Sequence, residues 1–504
     1  MSTMDTVLEL CVCAHPHKLA ITLGDRSASF GEVDEWVGRY VSVLQIWGVR
    51  RGDIVLVYCG IGFEIIYLHH ALARMGAIFA PLDPGGTERE LQRAIEYVGA
   101  RFLVGDEESQ DRAEAAQAGG DVALGIIAGH DHPTPGVNLG RMVRTGRASV
   151  AAERPRPDDI HAMYFTSGST GQPKAVMVSH RANWLRAFLA ANVVSAGGMV
   201  CMFPLFHMAG WQLLAQSWAR RRAVHLVQRA DADLLLGAVE RWGASTLYAI
   251  PAVWKRILEC SKSYDLSSLR GVDAGTSYVG SELIVALRAR FPGTHNMLGY
   301  GSTEMGAGLQ IAHEDILRKP GSVGLPCPGI SAKIVDGELY LRGATMMDGY
   351  FKLPVETAET ITDGWYRTGD LAERDDDGYY TIVGRRKEII RSGGETISPV
   401  ELDALLKRVE GVADIAAIGL PDADWGEIVC VAVVRRPDCP LPALSQIRQQ
   451  LGDLSSYKLP RELREVSFIP RTQATGQVQR NQLLEIILAT PDDRLRSHPP
   501  CPPC

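Results

Sequence analysis

The sequence predicts an α/β protein. A large N-terminal domain of two helix-covered sheets carries a β-rich subdomain and is followed by a small mobile α+β C-terminal lid domain. Three stretches lead to this. Residues 52–84 run "GDIVLVYCG", "IGFEIIYLHHALARMGA", "IFAPLDPG", which is strand, helix, strand. "YVGARFLVGD" and "DVALGIIAG" repeat the unit, and such alternation builds parallel sheets covered by helices. Residues 323–383 differ. "SAKIVDGELYLRG" and "GWYRTGDLAERDDDGYYTIVGR" are short strands joined by tight glycine turns. Beyond "GRRKE" comes a compact tail. In it "SPVELDALLKRVEGV" is an amphipathic helix with Ser398 as cap and Pro399 in its first turn. "ADIAAIGL" and "EIVCVAVVRR" read as strands. The expected boundaries are 1–386 for the N-terminal domain (β-rich part about 323–384), 387–490 for the lid and 491–504 for a disordered tail.

A length of 504 residues gives a prior of roughly three lobes, and 46% hydrophobic residues supply a large core. The net charge of −7 offers no footprint for nucleic acid or an anionic membrane. No apolar run approaches the ~20 residues of a membrane span. The N-terminus has Asp5 and Glu9 and no basic region, unlike a secretory signal, so a soluble cytoplasmic protein is expected. Cysteines such as Cys59 and Cys430 sit in apolar runs and read as buried thiols. Cys11, Cys13, His15 and His17 in "CVCAHPH", with Cys501 and Cys504 in the tail, leave two readings. One is a zinc site; the other, favoured because finger spacing is lacking, is a helix face and a proline-rich tail.

The chemistry concentrates in "MYFTSGSTGQPKAVMVSH". Strands flank a loop of Thr166, Ser167, Gly168, Ser169, Thr170, Gly171 and Lys174. Glycines let backbone N–H groups face an anion, hydroxyls add donors, and the lysine adds charge. This is a phosphate cradle, although not a Walker A loop. A polar surface hairpin is the alternative.

Other stretches share a pattern with it. "FPLFHMAGW" (203–211), "DAGTSY" (273–278), "YGSTE" (300–304), "GWYRTGD" (364–370) and "GRRKEIIRSGGETISPVELD" (384–403) follow in order. Together they resemble the adenylate-forming superfamily of acyl-CoA synthetases, nonribosomal adenylation domains and luciferases, over about 20–485. The resemblance implies ATP, Mg²⁺ and CoA or another thiol, with a small-molecule acid as substrate; a carrier-protein acceptor stays open. It implies that the 166–174 loop holds phosphates, and that Gly275, Thr276, Ser277, Tyr300, Gly301 and Ser302 surround adenine. It implies that Thr303 and Glu304 act at the phosphates, with Glu304 holding Mg²⁺, since hard cations prefer oxygen. Asp370, acceptor-only when ionised, and Arg385 would reach the ribose. Lys387 would be the hinge, and Gly393 and Gly394 would line the thiol tunnel. Lys458 would be a phosphate contact.

His207 in an apolar run is ordinarily a core histidine; the resemblance implies a place beside the reacting carboxylate. Trp211, Trp254, Tyr278 and Met305 would narrow that pocket and favour a compact acid. The C-terminal motif departs from the family. "PRTQATGQ" (470–477) places Gln477 where a lysine would bridge substrate carboxylate and α-phosphate. Losing such a contact costs about 2.7–4 kcal/mol of barrier. Three readings follow: Gln477 suits a slower or differently charged substrate, Arg471 or Arg480 supplies the charge, or the protein binds nucleotide without efficient adenylation. The expected function is adenylation of a small organic acid with transfer to a thiol. The alternatives are adenylation of an unusual acid such as nitrite for diazo formation, and a nucleotide-binding pseudoenzyme.

Overall fold

A computed structural model describes residues 2–489 except 118–120, 150–152, 167–173, 190–196, 393–394, 407–408, 452–453, 455 and 473–475. The residues group into two compact units. The first takes in the chain to Val335, Tyr340–Thr368 and Asp375–Tyr380; the second takes in Asp336–Leu339, Gly369–Arg374 and Thr381 onward. The fold class is the α/β one expected.

In the first unit the β-branched run Ile54–Tyr58 is a fully paired strand. It lies parallel to Ile78–Pro81 on one side and to Phe102–Asp106 on the other. The helix between the first two, Phe63–Met75, buries nearly every side chain, and Gly76 closes it in the left-handed region at φ 68°. Ala123–Ile127 and Val137–Asn138 extend the sheet beyond Phe102–Asp106. Ile160–Thr166, Lys174–Ser179 and Gly349–Tyr350 extend it the other way, the last two joining antiparallel. A second sheet runs Ser322–Pro326, Gly306–Ile311, Leu298–Ser302, Gly271–Gly275, Thr246–Ala249, Met199–Cys201, Val224–Leu226, Leu19–Leu23, Arg26–Ser29. Local signals start its helices. Ser29 and Glu32 form a reciprocal capping box ahead of Phe30–Trp47, and Thr87 with Glu90 repeats it ahead of Glu88–Val98.

The second unit has its own sheet, Glu395–Ile397, Ile390–Ser392, Gly426–Arg435 and Val412–Asp422, with Glu462–Glu465 parallel to Gly426–Arg435. Ser398 caps Pro399–Leu406 by accepting from the Glu401 N–H at 3.2 Å. Two apolar clusters fill this unit, around Leu402, Val431 and Ile447, and around Ile418, Cys430 and Leu483. Strands Glu338–Gly343, Trp365–Arg374 and Tyr380–Arg385 each contribute residues to both units.

The core of the first unit holds an unusual group. His69 stacks on Trp211 with ring centroids 3.9 Å apart. It also meets His70 and His161 edge-on at 4.8 Å, and His161 meets His180 at 4.8 Å. All four are buried. Burial holds every one below the usual histidine range, His70 at about 3 and His180 at about 4. Unfolded, each takes up a proton near pH ~6.5 that the folded chain refuses. The stability contributed is therefore full above that value and is lost as the pH falls toward 4. The urea midpoint of the full chain should drop clearly between about pH 7.5 and about pH 5. The variant His180→Gln should flatten that drop; an equal pH slope in parent and variant contradicts the account.

Candidate active site

Thr166 and Lys174 face each other at the ends of an antiparallel pair, and the Thr166 hydroxyl donates to the Lys174 carbonyl at 3.4 Å. Ser167, Gly168, Ser169, Thr170 and Gly171 lie outside the described residues. The pair fixes where that loop leaves and returns. The Lys174 ammonium sits over the Tyr350 ring, 4.7 Å from its centroid. Tyr350 is held there because its strand pairs with Lys174–Ser179, Tyr350 opposite Val176. Burial and the neighbouring Glu304 push its phenol well up, so it stays protonated and donates to Glu304 Oε1 at 3.0 Å.

Glu304 lies in the turn between Leu298–Ser302 and Gly306–Ile311. Ser302 accepts from the Met305 N–H at 3.2 Å and makes a hydroxyl contact with Tyr366 at 3.2 Å. Beneath the turn lies the fully buried Arg186. Its Nε donates to the Thr345 carbonyl at 2.9 Å, and its Nη2 donates to those of Thr303 and Glu304 at 3.1 and 3.3 Å. The Glu304 carbonyl also accepts from the Met347 N–H at 2.7 Å. Gly306 completes the turn at φ 75°, and a Cβ there would press on Arg186 at 3.0 Å. Burial lowers the Arg186 guanidinium to about 10, still charged at neutral pH. Lys174, Arg186, Glu304 and Tyr350 thus form one set. Its carboxylate keeps lone pairs beyond the one taken by Tyr350, which suits a hard cation such as Mg²⁺, and its ammonium suits a phosphate. Arg186 and Tyr350 escaped the sequence reading; a lone arginine in the apolar run "NWLRAFL" was the available signal.

The loop expected at adenine begins at Gly275. A Cβ there would meet the Tyr248 hydroxyl and the Gly299 carbonyl at 2.1 and 2.7 Å, so only glycine fits. Thr276 takes φ 66°, a conformation a β-branched residue adopts only under constraint. Ser277 follows half-buried, and Tyr300, Gly301 and Ser302 line the neighbouring strand end. His207 is the N-cap of helix Met208–Ala219, its Nδ1 accepting from the Ala209 N–H at 3.2 Å. Burial lowers it to about 4, so the ring is neutral, with its proton on Nε2. Trp211 and Trp254 are buried and donate to the carbonyls of Leu205 and Asp273. Met305 is buried too, whereas Tyr278 is exposed.

Asp370 and Arg385 belong to the second unit. The Arg385 Nε lies 3.3 Å from Asp370 Oδ1, with the carboxylate buried and the arginine exposed. Behind them Glu338 accepts from the Gly369 N–H at 3.1 Å and from Arg386 Nη1 at 2.9 Å. Lys387 is exposed in the turn that follows; Gly393 and Gly394 lie outside the described residues. Gln477 is exposed, its N–H donating to the Thr472 hydroxyl at 3.1 Å. Both arginines named as stand-ins for a lysine are engaged with carboxylates of their own unit. Arg471 holds Asp414 through two nitrogens at 2.9 and 2.7 Å. Arg480 is buried between Glu388, at 2.9 Å, and Asp403. Lys458 pairs with Glu401 at 2.8 Å instead of standing free for a phosphate. Cys11 is buried and donates to the Trp218 carbonyl, and Cys13 is exposed. Among the described residues no cluster of His, Cys, Asp or Glu is arranged to hold a metal; Cys501 and Cys504 lie outside them. No described helix is long and apolar enough to cross a membrane.

Known proteins share this architecture. Residues 9–351 match the AMP-binding enzyme family, and residues 401–475 match the AMP-binding enzyme C-terminal domain. An indoleacetate–CoA ligase from Aromatoleum aromaticum is 30% identical, over 94% of this chain and 96% of its own. A feruloyl-CoA synthase from Amycolatopsis sp. is 30% identical, over 92% and 94%. The crystal structure of ATP-bound MatB from Rhodopseudomonas palustris superposes with a TM-score of 0.86 at 25% identity, over 96% of this chain and 98% of that one. The chain belongs to the AMP-binding enzyme family and is an AMP-forming acid–thiol ligase.

Proposed function

We propose that the protein activates an aryl or arylalkyl carboxylic acid and passes the acyl group to CoA. A carboxylate oxygen attacks the α-phosphorus of ATP and the bond to pyrophosphate breaks. The CoA thiol then attacks the acyl carbonyl, gives up its proton, and AMP leaves. The observation that carries this is the Lys174–Tyr350–Glu304 set, an ammonium and a carboxylate held on one buried tyrosine at the mouth of the phosphate loop. The aryl class rests on the two relatives named for indoleacetate and ferulate. The buried Trp211, Trp254 and Met305 support it, as flat bulky walls suit flat acids.

In this reading the 166–174 loop and Lys174 bind the phosphates, and Thr303 assists at the turn. Glu304 holds Mg²⁺, whose charge would offset that of the phosphates. Gly275, Thr276, Ser277, Tyr300, Gly301 and Ser302 take adenine. Neutral His207 orients the acid. Asp370 and Arg385 take the ribose hydroxyls, Lys387 is the hinge, and Gly393 and Gly394 admit the thiol.

Pyrophosphate release measured over aryl acids, straight-chain fatty acids and nitrite should be fastest with an aryl acid, and CoA should then consume the adenylate. Turnover confined to nitrite or to fatty acids overturns the aryl reading. Asp370→Ala should weaken ATP and AMP alike by about 2 kcal/mol, because the lost hydrogen bonds go to a charged group. Calorimetry showing unchanged AMP affinity removes Asp370 from the site. With both nearby arginines engaged by carboxylates, Gln477→Lys should speed pyrophosphate formation ~10-fold or more and leave thiol transfer unaltered, since bonds at the α-phosphorus form and break only in the first step. Equal first-step rates in the parent, Gln477→Lys and Gln477→Ala would deny this position any part in catalysis.

A further inference from the structure

Behind the Glu304 turn lies a small cavity lined in part by His69, His161, Asn183, Arg186, Trp211 and Gln212. It has room for roughly one water-sized occupant, a little more if side chains give. Arg186 carries a full charge there. Among the described residues its Nε and Nη2 donate only to main-chain carbonyls, and its Nη1 is buried without a partner. A buried charge whose hydrogen bonds go only to neutral dipoles is costly.

The neighbouring imidazole points to the same chemistry. His161 Nδ1 accepts from the Asn183 amide Nδ2 at 2.9 Å. A neutral imidazole whose Nδ1 accepts must carry its proton on Nε2. That His161 Nε2–H is also buried with no partner among the described residues. A charged donor and a neutral donor therefore line one cavity, and among the described residues no carboxylate bonds to either, Glu304 and Asp348 acting on the guanidinium only at longer range. A water molecule would fill the hydrogen bonds and leave the charge. A single anion would satisfy both.

We infer that this cavity is a binding site for one small monovalent inorganic anion, of halide size, held by Arg186 Nη1 and His161 Nε2–H. The site is separate from the phosphate-facing set and joined to it through Arg186. The guanidinium that would hold the anion also holds the carbonyls of Thr303 and Glu304.

The test uses the full chain and bromide. Crystals grown in bromide should show an anomalous peak within hydrogen-bond distance of Arg186 Nη1 and His161 Nε2. In solution, Trp211 lines the cavity, so bromide should quench a saturable part of the tryptophan fluorescence. Chloride should protect against it competitively. His161→Phe and Arg186→Met should each weaken bromide at least tenfold; if Arg186→Met does not fold, His161→Phe alone decides. Nitrite in the chloride role is the size control: it should fail to protect, and protection equal to that by chloride overturns the halide-sized site. An ordered water without anomalous signal overturns it, as does quenching that never saturates and is identical in His161→Phe.

Discussion

The site depends on one buried cation. Arg186 reaches from the helix His180–Leu189 to three carbonyls, two of them in the turn that carries Glu304. An arginine so deeply buried must spend its donors on something, and here it spends them on backbone. The turn therefore keeps one shape without a strand partner along its tip. The glycine at 306 follows from this packing as much as from its φ of 75°, because a side chain would collide with the guanidinium. Once the main chain is fixed, one phenol suffices to aim the carboxylate. Tyr350 does so through a strand register of only two residues, Gly349 opposite Met177 and Tyr350 opposite Val176. Lys174 then shares that ring. Four segments far apart in sequence meet because strand pairing, not loop chemistry, sets their spacing.

This explains which parts were legible in the sequence. Strands Ile54–Tyr58, Ala123–Ile127 and Gly426–Arg435 announce themselves by β-branched runs, and the helix after Ser398 by its cap. Lys174, Glu304 and Asp370 are legible because they sit in short motifs whose residue types are unusual together. Arg186 and Tyr350 are not. The partners of Arg186 are backbone carbonyls more than a hundred residues away, and carbonyls leave no trace in a side-chain pattern. The histidine cluster is hidden for the same reason. His69 and His70 look like an ordinary helix pair in "YLHHAL", and only the packing of Trp211, His161 and His180 shows that the core has closed over them. His207 shows a further limit. The motif points to a place by the substrate, while the structure adds a capping bond to Ala209 that the motif does not contain. The cap is compatible with the proposed second role, since it uses Nδ1 and leaves Nε2–H.

The second unit makes the case of Gln477 sharper than sequence alone allowed. A missing lysine is ordinarily excused by a neighbouring cation, and two arginines stand within a few residues of it. Arg471 is tied to Asp414 by a two-pronged bridge, a geometry that only a guanidinium satisfies so fully. Arg480 answers two carboxylates from inside the fold. Freeing it would strip a charge partner from two half-buried carboxylates, of which Asp403 also accepts from the Ala417 N–H at 2.7 Å. Of the two, Arg480 is the more firmly held, since the Arg471–Asp414 pair is about a third exposed. In the proposed reading the ribose falls to Asp370 and Arg385, which face one another beside the Glu338 brace, and not to residue 477. On that proposal nucleotide binding and transition-state charge are carried by different residues. A neutral amide at 477 touches only the second of these. That is the pattern expected where ground-state affinity is kept and the barrier of the first step alone is raised.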